Sequence, residues 1–247
     1  DSYRKMGLEE PEARYASMIE SMDEALGNVI NYLEVNDLVN NTVILFMSDN
    51  GGLSAVARGG EKHTHNLPLK SGKGSIYEGG IRVPMLAYWP GKTQRGVVNS
   101  TPLIIEDFFP SILEIAQIEA NKIPQTLDGK SFVPLLQNTN AEISDRPLFW
   151  HYPNEWGIEG PGIGSFSAVR QGDWKLIHFH TKETLELYNL KNDIKENQNL
   201  IETNVKEAYL LANTLTQHLK SVNAQMPRDK FTNEIVLWPN QLLSSKK

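Results

Sequence analysis

A carboxylate and a carboxamide end a short apolar run in the first quarter of the chain. Asp49 and Asn50 follow the sequence TVILFMS and precede two glycines, Gly51 and Gly52. At the carboxyl end of a strand in an open α/β sheet, such side chains point into the crevice where ligands bind. Two hard oxygen donors suit Ca²⁺ or Mg²⁺ better than Zn²⁺. A plain turn is the alternative, because Asn-Gly is a frequent turn dipeptide.

A second candidate group is a lysine between two glycines. Lys73 is flanked by Gly72 and Gly74 in the sequence LKSGKGSIYEGGIRVP. Glycines let the backbone approach a ligand closely, and an ammonium group there could stabilise phosphate or sulfate oxygens as charge builds during transfer. The spacing excludes a Walker phosphate loop. A solvated loop lysine is the alternative.

Two histidines stand above the others as acid–base or substrate-binding candidates. His65 lies in the glycine-rich segment before Lys73, and His151 lies in the aromatic sequence FWHYPNEW. Imidazole titrates near neutral pH, so either side chain could exchange a proton with a substrate. A surface or satisfied core histidine is the alternative for both.

The composition excludes several classes of function. The 247 residues carry a formal net charge of -6, which argues against nucleic-acid binding because phosphate contacts need a basic surface. No apolar run is long enough to span a membrane. Cysteine is absent, so disulfides and a thiol nucleophile are excluded within this chain.

Hydrophobic periodicity places these residues in an α/β layer fold. Apolar residues at three- and four-residue spacing predict a helix over residues 12–35. After a short loop, residues 42–47 lack polar alternation and predict a strand buried on both faces. A second strand is predicted over residues 85–89, and a helix over residues 104–118, where Pro110 marks a kink or the true helix start. Helix, loop and buried strand in this order are typical of α/β layers.

The pattern changes in the second part of the chain. Four short runs, PLFWH, FSAVRQ, DWKLIHF and TLELYNL, are separated by polar turns and predict an antiparallel sheet. A helix is predicted over residues 205–219. The polar segment 137–146 marks a boundary, which divides the chain into an α/β part over residues 1–140 and a smaller α+β subdomain over residues 141–247.

Taken together, these segments resemble the type I sulfatases, or arylsulfatases, of the alkaline-phosphatase superfamily. The matching sequences, in the family's order, are YASMIESMDEALGNVINYLE, VILFMSDNGG, NLPLKSGKGSIYEGGIRVPMLAYWPG, AVRQGDWKLI, ELYNLKNDIKENQNL and NAQMP. The resemblance implies part of a large mixed or parallel sheet flanked by helices, followed by a small subdomain with an antiparallel sheet and a C-terminal helix. Residues 1–140 would then be the C-terminal part of the catalytic domain.

The resemblance also implies the chemistry of the site. Asp49 and Asn50 would supply two ligands to a divalent metal, usually Ca²⁺, and Lys73 would contact the sulfate group. In such enzymes a formylglycine hydrate, made from Cys or Ser, attacks sulfur and expels the alcohol of a sulfate ester. The implied substrate is a sulfated small molecule or saccharide, and the family expectation is a periplasmic or secreted protein.

The nucleophile motif of this family is absent from the chain. Neither Cys/Ser-x-Pro/Ala-x-Arg nor the acidic ligand pair of a sulfatase N-terminus occurs, and residues 54–58 have Val where Pro or Ala should stand. We therefore expect the second half of a sulfatase, inactive alone, whose formylglycine lies upstream and which pairs with the missing half or self-associates. The alternatives are a related phosphodiesterase or phosphonate monoester hydrolase, and a non-catalytic truncated binding module.

Overall fold

The computed structural model describes residues 1–53, 66–119, 122–138, 141–143, 145–155, 157 and 160–245. It contains two compact units, neither of which is continuous in sequence. The first unit comprises Asp1–Met18, Ser48–Pro84 and Arg146–Lys247, and the second comprises Ile19–Met47 and Met85–Asp145. The division into residues 1–140 and 141–247 stays a prediction.

The described helices and strands are interspersed up to residue 137, after which four consecutive strands are followed by two helices. In chain order they are α1 (Ser2–Lys5), α2 (Glu10–Val35), a 3₁₀ turn (Val39–Asn41), β1 (Ile44–Met47), α3 (Glu78–Ile81), β2 (Met85–Tyr88), a 3₁₀ turn (Ile105–Asp107), α4 (Phe108–Ile115), α5 (Val133–Gln137), β3 (Leu148–Tyr152), β4 (Phe166–Gln171), β5 (Trp174–Phe179), β6 (Thr184–Asn189), α6 (Val205–Ser221) and α7 (Pro239–Ser245). This mixed α/β order, with an antiparallel sheet and a C-terminal helix, confirms the predicted fold class.

The first unit is built on a four-stranded antiparallel sheet. Strands β3 to β6 pair in sequence order, as the four short runs predicted. Helix α6 packs one face against this sheet, where Val169 and Leu176 are fully buried. The buried apolar residues of α6 are Ala208, Leu211, Ala212, Leu215 and Leu219. They recur at three- and four-residue spacing, as expected for one face of a helix, whereas Val205 in the first turn is exposed.

The opposite face of the sheet holds the segment that follows the Gly-Lys-Gly loop (residues 72–74). Ile76 and Tyr77 are buried there in a cluster with Phe166, Ala168, Ile177, Phe179, Tyr188 and Leu190. The Tyr77 ring meets Phe179 and Tyr188 edge-on, with both centroid separations 6.2 Å. The antiparallel sheet is therefore the support on which the chain just after Lys73 rests.

The second unit contains β1 and β2, which form a two-stranded antiparallel sheet. All four β1 residues are half-buried, so the expectation of a strand buried on both faces is wrong for the described chain. β1 has β2 as its one neighbouring strand among the described residues, and a strand with a single neighbour stays partly open to solvent. Helix α4 begins at Phe108 and holds Pro110 in its first turn, which confirms that this proline marks the helix start.

Helix α2 confirms the predicted helix but not its buried face. Ala13 is its one buried residue, whereas Met18 is 68% exposed and Val29 is 54% exposed. Ile19, Met22 and Tyr32 are exposed as well. An amphipathic helix normally covers its apolar stripe, so this surface lacks a partner among the described residues. None of the described helices is both long enough and apolar enough to cross a membrane.

Candidate active site

The predicted metal ligands lie in an accessible turn directly after β1. In this Asp-Asn turn (residues 49–52), Asp49 is exposed and Asn50 is half-buried. The Ser48 hydroxyl donates a hydrogen bond to the Asn50 carbonyl oxygen at 2.9 Å, which shapes the turn. Among the described residues, neither the Asp49 carboxylate nor the Asn50 carboxamide has a hydrogen-bond partner. Carboxylate and carboxamide oxygens are of the hard type that Ca²⁺ prefers.

Gly51 joins the Asp-Asn turn to the glycine pair at residues 79 and 80. Its N–H donates to the Gly80 carbonyl oxygen at 2.9 Å. A Cβ atom on Gly51 would lie 1.7 Å from the Gly79 carbonyl oxygen, a separation that no side chain can tolerate. Glycine is thus required at this position by the close approach of two backbones, in addition to any turn preference.

Lys73 is joined to the same turn by a backbone hydrogen bond. Its N–H donates to the Gly52 carbonyl oxygen at 3.0 Å. Asn66 reinforces this contact, because its side-chain amide donates to Gly52 O at 2.6 Å and to Ser71 O at 3.0 Å. The structure therefore brings the Asp-Asn turn and the Gly-Lys-Gly loop together, with the Lys73 side chain exposed.

Sequence reasoning missed the role of Asn66. An asparagine in a loop carries no periodic signal, and its partners lie 14 and 5 residues away. The asparagine forms side-chain bonds to two loop backbones at once, which is a way to satisfy polar groups outside regular structure. Its position directly after His65 was visible, but nothing in one sequence indicated which loops it would join.

Two candidate side chains alone do not fill the coordination shell of a metal ion. No group of three or more His, Cys, Asp or Glu side chains that could hold a metal occurs in the described chain. Asp49 and Asn50 contribute one negative charge and two oxygen donors, whereas Ca²⁺ takes six to eight oxygens. The two side chains fit a hard cation in chemistry and in accessibility, and they leave most of its coordination to other groups.

His151 lies in β3, on the sheet of the first unit, and its ring is occupied by protein partners. Its Nδ1 lies 2.8 Å from the Ser167 hydroxyl, and its Nε2 lies 3.1 Å from the Gln225 carbonyl oxygen. A substrate-binding role for His151 stays a prediction, and His65 lies outside the described residues.

The hydrogen bonds of His151 continue into the core through two serines. Ser167 Oγ also lies 2.8 Å from His180 Nε2, and Ser165 Oγ lies 2.7 Å from His180 Nδ1. One proton assignment satisfies every bond: both hydroxyls donate to an Nδ1, and both Nε2–H groups donate, one to Ser167 and one to the carbonyl oxygen of Gln225. The ring of His178 packs edge-on against the ring of His180, with 4.8 Å between the ring centroids.

Comparison with known proteins decides the family. The sulfatase family model matches residues 4–118, and the model described as N-sulphoglucosamine sulphohydrolase, C-terminal, matches residues 71–225. The chain belongs to the sulfatase family. The resemblance inferred from the sequence motifs is thereby confirmed, and the matched regions are consistent with the C-terminal part of a sulfatase.

The chain spans less than half the length of individual proteins that it matches. A sulfatase of Formosa agariphila is 34% identical over 213 residues, which are 81% of this chain and 37% of that protein. The structure of Ps i-CgsB in complex with k-i-k-neocarrahexaose is 29% identical, with a TM-score of 0.64, and the match covers 96% of this chain and 45% of that chain. The structure of BT4656 with its substrate D-glucosamine-2-N,6-O-disulfate is 26% identical, with a TM-score of 0.67 and coverages of 88% and 42%.

A glycine substitution tests the close approach of residue 51 to the Gly79 carbonyl. Gly51→Ala should lower the free energy of unfolding by about 1–3 kcal/mol, because the Gly79 carbonyl must move to admit the methyl group. Urea denaturation of the chain measures the change.

Gly27→Ala is the matched control for Gly51→Ala. Gly27 lies inside α2, and a Cβ atom added there would meet no other atom within 4 Å outside the helix's own nearby backbone. Alanine is the better helix former there by roughly 0.5–1 kcal/mol, so Gly27→Ala should stabilise the chain. Equal effects of the two substitutions would show that the Gly51 contact is not as close as described.

Proposed function

We propose that this chain is the C-terminal portion of a sulfatase that hydrolyses sulfate esters in its complete form. The observation that supports this most is the pair of backbone bonds, Gly51 N–H to Gly80 O and Lys73 N–H to Gly52 O, which hold the Asp-Asn turn beside Lys73. Carboxylate and amide oxygens can bind a cation, and an ammonium can bind an anion, so these groups suit the binding and polarisation of a sulfate ester.

Each residue of this site has a separate task in the proposal. Asp49 and Asn50 hold a divalent cation, Ca²⁺ or Mg²⁺, which supplies Lewis-acid polarisation of a sulfate oxygen when bound. Lys73 orients the sulfate group and stabilises the negative charge that develops on its oxygens. The formylglycine nucleophile belongs to upstream polypeptide, since this chain contains neither cysteine nor a nucleophile motif.

A partner polypeptide is the second part of the proposal. The exposed apolar residues of α2, together with Leu86 on β2 and Ile112 on α4, form surfaces that a soluble protein normally covers. The chain spans 37% of the Formosa agariphila sulfatase. We propose that the first half of the sulfatase domain covers these surfaces; self-association of the chain is the other possibility. The complete protein is this chain joined to that first half.

The proposed substrate is a sulfated saccharide. Two of the structural neighbours were solved with saccharides, one a neocarrahexaose and the other a disulfated glucosamine. The exposed position of Lys73 is compatible with a sulfate group carried by a large polar ligand. Export to the periplasm or the cell exterior is also part of the proposal and rests on the family resemblance alone.

The enzymatic part of the proposal predicts a difference between the chain and the complete protein. The chain alone should show no turnover of an aryl sulfate with or without Ca²⁺, because nucleophile and acidic ligands are missing. The complete protein should hydrolyse it. Absorbance of the released phenol measures both, and a point variant of the upstream nucleophile is the control. Robust Ca²⁺-dependent turnover by the chain alone would contradict the truncated site.

Phosphate or phosphonate ester hydrolysis is the second candidate activity. A phosphonate monoester hydrolase of Silicibacter pomeroyi shares the fold at 22% identity with a TM-score of 0.60, which concerns the fold alone. The sulfatase family membership and the Gly-Lys-Gly loop favour sulfate. The third candidate is a non-catalytic binding module, which would have to bind Ca²⁺ tightly by itself. Two metal-binding side chains, Asp49 and Asn50, are too few for tight Ca²⁺ binding.

A further inference from the structure

A buried lysine is hydrogen-bonded to the segment that follows the Gly-Lys-Gly loop. Lys175 of β5 is 0% exposed, and its ammonium nitrogen donates to three oxygens. These are the Ile76 carbonyl at 2.7 Å, Glu78 Oε1 at 2.9 Å and Glu196 Oε1 at 2.9 Å. Three donors and three acceptors make the ammonium fully satisfied. The lysine therefore links the antiparallel sheet, the segment after Lys73 and the loop after β6.

Further contacts surround the two carboxylates that bind Lys175. Glu196 Oε2 accepts the Glu78 backbone N–H at 2.6 Å, and Arg82 Nε lies 2.9 Å from Glu78 Oε2. Burial alone would raise the pKa of the Glu78 carboxyl, but the positive charges of Lys175, Arg170 and Arg82 outweigh burial and lower that pKa. Glu78 is thus held ionised although it is buried.

Two short backbone paths connect this cluster to the site. Along the first, Glu78 begins α3, whose Gly80 carbonyl accepts the Gly51 N–H of the Asp-Asn turn. Along the second, Ile76 follows Ser75, whose N–H donates to the Gly72 carbonyl oxygen at 2.9 Å and so closes the Gly-Lys-Gly loop. Both loops of the proposed site are therefore hydrogen-bonded to segments whose Ile76 carbonyl or Glu78 carboxylate accepts a hydrogen bond from Lys175.

Stability alone does not account for a buried ion cluster. Apolar residues of similar volume usually stabilise a core at least as well, because two or three buried charges carry a large desolvation penalty. A single ammonium with three fixed acceptors does impose one arrangement on the three segments it joins. Such a cluster fits a role in fixing geometry better than a role in adding stability.

We propose that Lys175 is a positioning residue that fixes the Asp-Asn turn and Lys73 relative to each other through Ile76, Glu78 and Glu196. The catalytic importance of this arrangement rests on the proposed function. The arrangement itself can be measured without any turnover. Removal of Lys175 should loosen both loops while the core between α6 and the sheet remains intact.

The decisive variant is the double substitution Lys175→Met/Glu196→Gln in the complete protein. It removes one positive and one negative charge together, so no uncompensated buried charge is added and the fold should persist even where Lys175→Met alone does not fold. Hydrogen–deuterium exchange of peptides covering residues 49–53 and 71–75 should become roughly tenfold faster or more. Exchange in α6 should stay at the wild-type rate.

The kinetic readout is a split between kcat and KM. Misplacement of the site relative to the reacting group should lower kcat for an aryl sulfate by about tenfold or more, with a smaller change in KM. Lys191→Met is the matched control, because Lys191 is 74% exposed and lies 4.0 Å from Asp173. That variant should leave both exchange and kcat unchanged.

Several outcomes would overturn the positioning role. Exchange at both peptides within about twofold of wild type in the double variant would show that Lys175 does not hold the loops. Equally faster hydrogen–deuterium exchange in α6 would show that Lys175 and its two glutamates stabilise the whole unit and do not specifically position the two loops. Should the wild-type complete protein hydrolyse no sulfate ester, the proposed function fails, and the exchange measurement still decides whether Lys175 positions the two loops.

Discussion

Asp49→Asn in the complete protein is expected to lower kcat/KM for an aryl sulfate by about 10²–10³-fold, the size of effect seen when one electrostatic stabiliser is removed from an active site. The substitution keeps the shape of the side chain and removes one negative charge from the proposed cation site. Because Ca²⁺ affinity depends on the charge of its ligands, millimolar Ca²⁺ should recover part of the loss. Initial rates against Ca²⁺ concentration measure both effects.

A second aspartate provides the control for this substitution. Asp37 is exposed in the loop between α2 and β1, with a φ of 57° that asparagine also tolerates. Asp37→Asn makes the same chemical change outside the proposed site and should leave kcat/KM unchanged. Unaltered activity of Asp49→Asn, with the same Ca²⁺ dependence as wild type, would remove Asp49 from the metal site.

The second large effect is acid destabilisation through His178. This side chain is fully buried, and neither ring nitrogen has a hydrogen-bond partner among the described residues. Burial, together with the nearby His151, lowers the pKa of His178 to about 4. Burial, with His178 and His151, also lowers the pKa of His180 to about 3. Both imidazoles are therefore neutral in the folded protein at pH 7.

The sign of the pH dependence follows from these lowered pKa values. Between pH 6.5 and about 4 the unfolded chain binds a proton at residue 178 that the folded chain does not, so stability falls as the pH falls. One such group changes the free energy of unfolding by about 1.4 kcal/mol per pH unit, or roughly 3 kcal/mol over this window. His180 adds a loss of the same sign.

His178→Leu isolates the contribution of this residue. At pH 7 the variant should be as stable as wild type or more stable, because an unsatisfied polar ring is replaced by an apolar side chain. Between pH 6.5 and pH 4 it should lose less stability than wild type. Urea denaturation at several pH values measures the difference. Parallel pH curves for the two proteins would show that His178 binds no fewer protons when folded.

Sequence patterning predicted the elements whose periodicity was strong. The four antiparallel strands and helix α6 lie where the alternating and helical patterns predicted them. These elements pack against one another within one stretch of about 100 residues, so their apolar faces are buried by the chain itself. The α2 helix was predicted from the same kind of pattern, yet its apolar face is exposed. Periodicity predicts that one face of a helix is buried, but it does not identify the polypeptide that buries it.

The site was predictable in its residue types but not in its assembly. The Asp-Asn pair and the Gly-Lys-Gly loop were visible as short motifs, and the structure places their backbones in contact. Asn66 and Lys175 lie in sequences that carry the family resemblance, but their contacts were not predicted, since a lone loop amide and a lysine on a strand are normally solvated. Their partners lie up to 99 residues away in sequence, and a single sequence does not reveal such long-range contacts.

The most direct test of the proposed active site is substrate preference with and without metal. The kcat/KM of the complete protein should be measured for an aryl sulfate and for the matching aryl phosphate, each with Ca²⁺ and with a chelator. A sulfatase whose cation is held by Asp49 and Asn50 should prefer the sulfate and lose that activity on chelation. Preference for the phosphate, or sulfate hydrolysis that persists without metal, would contradict the proposed site.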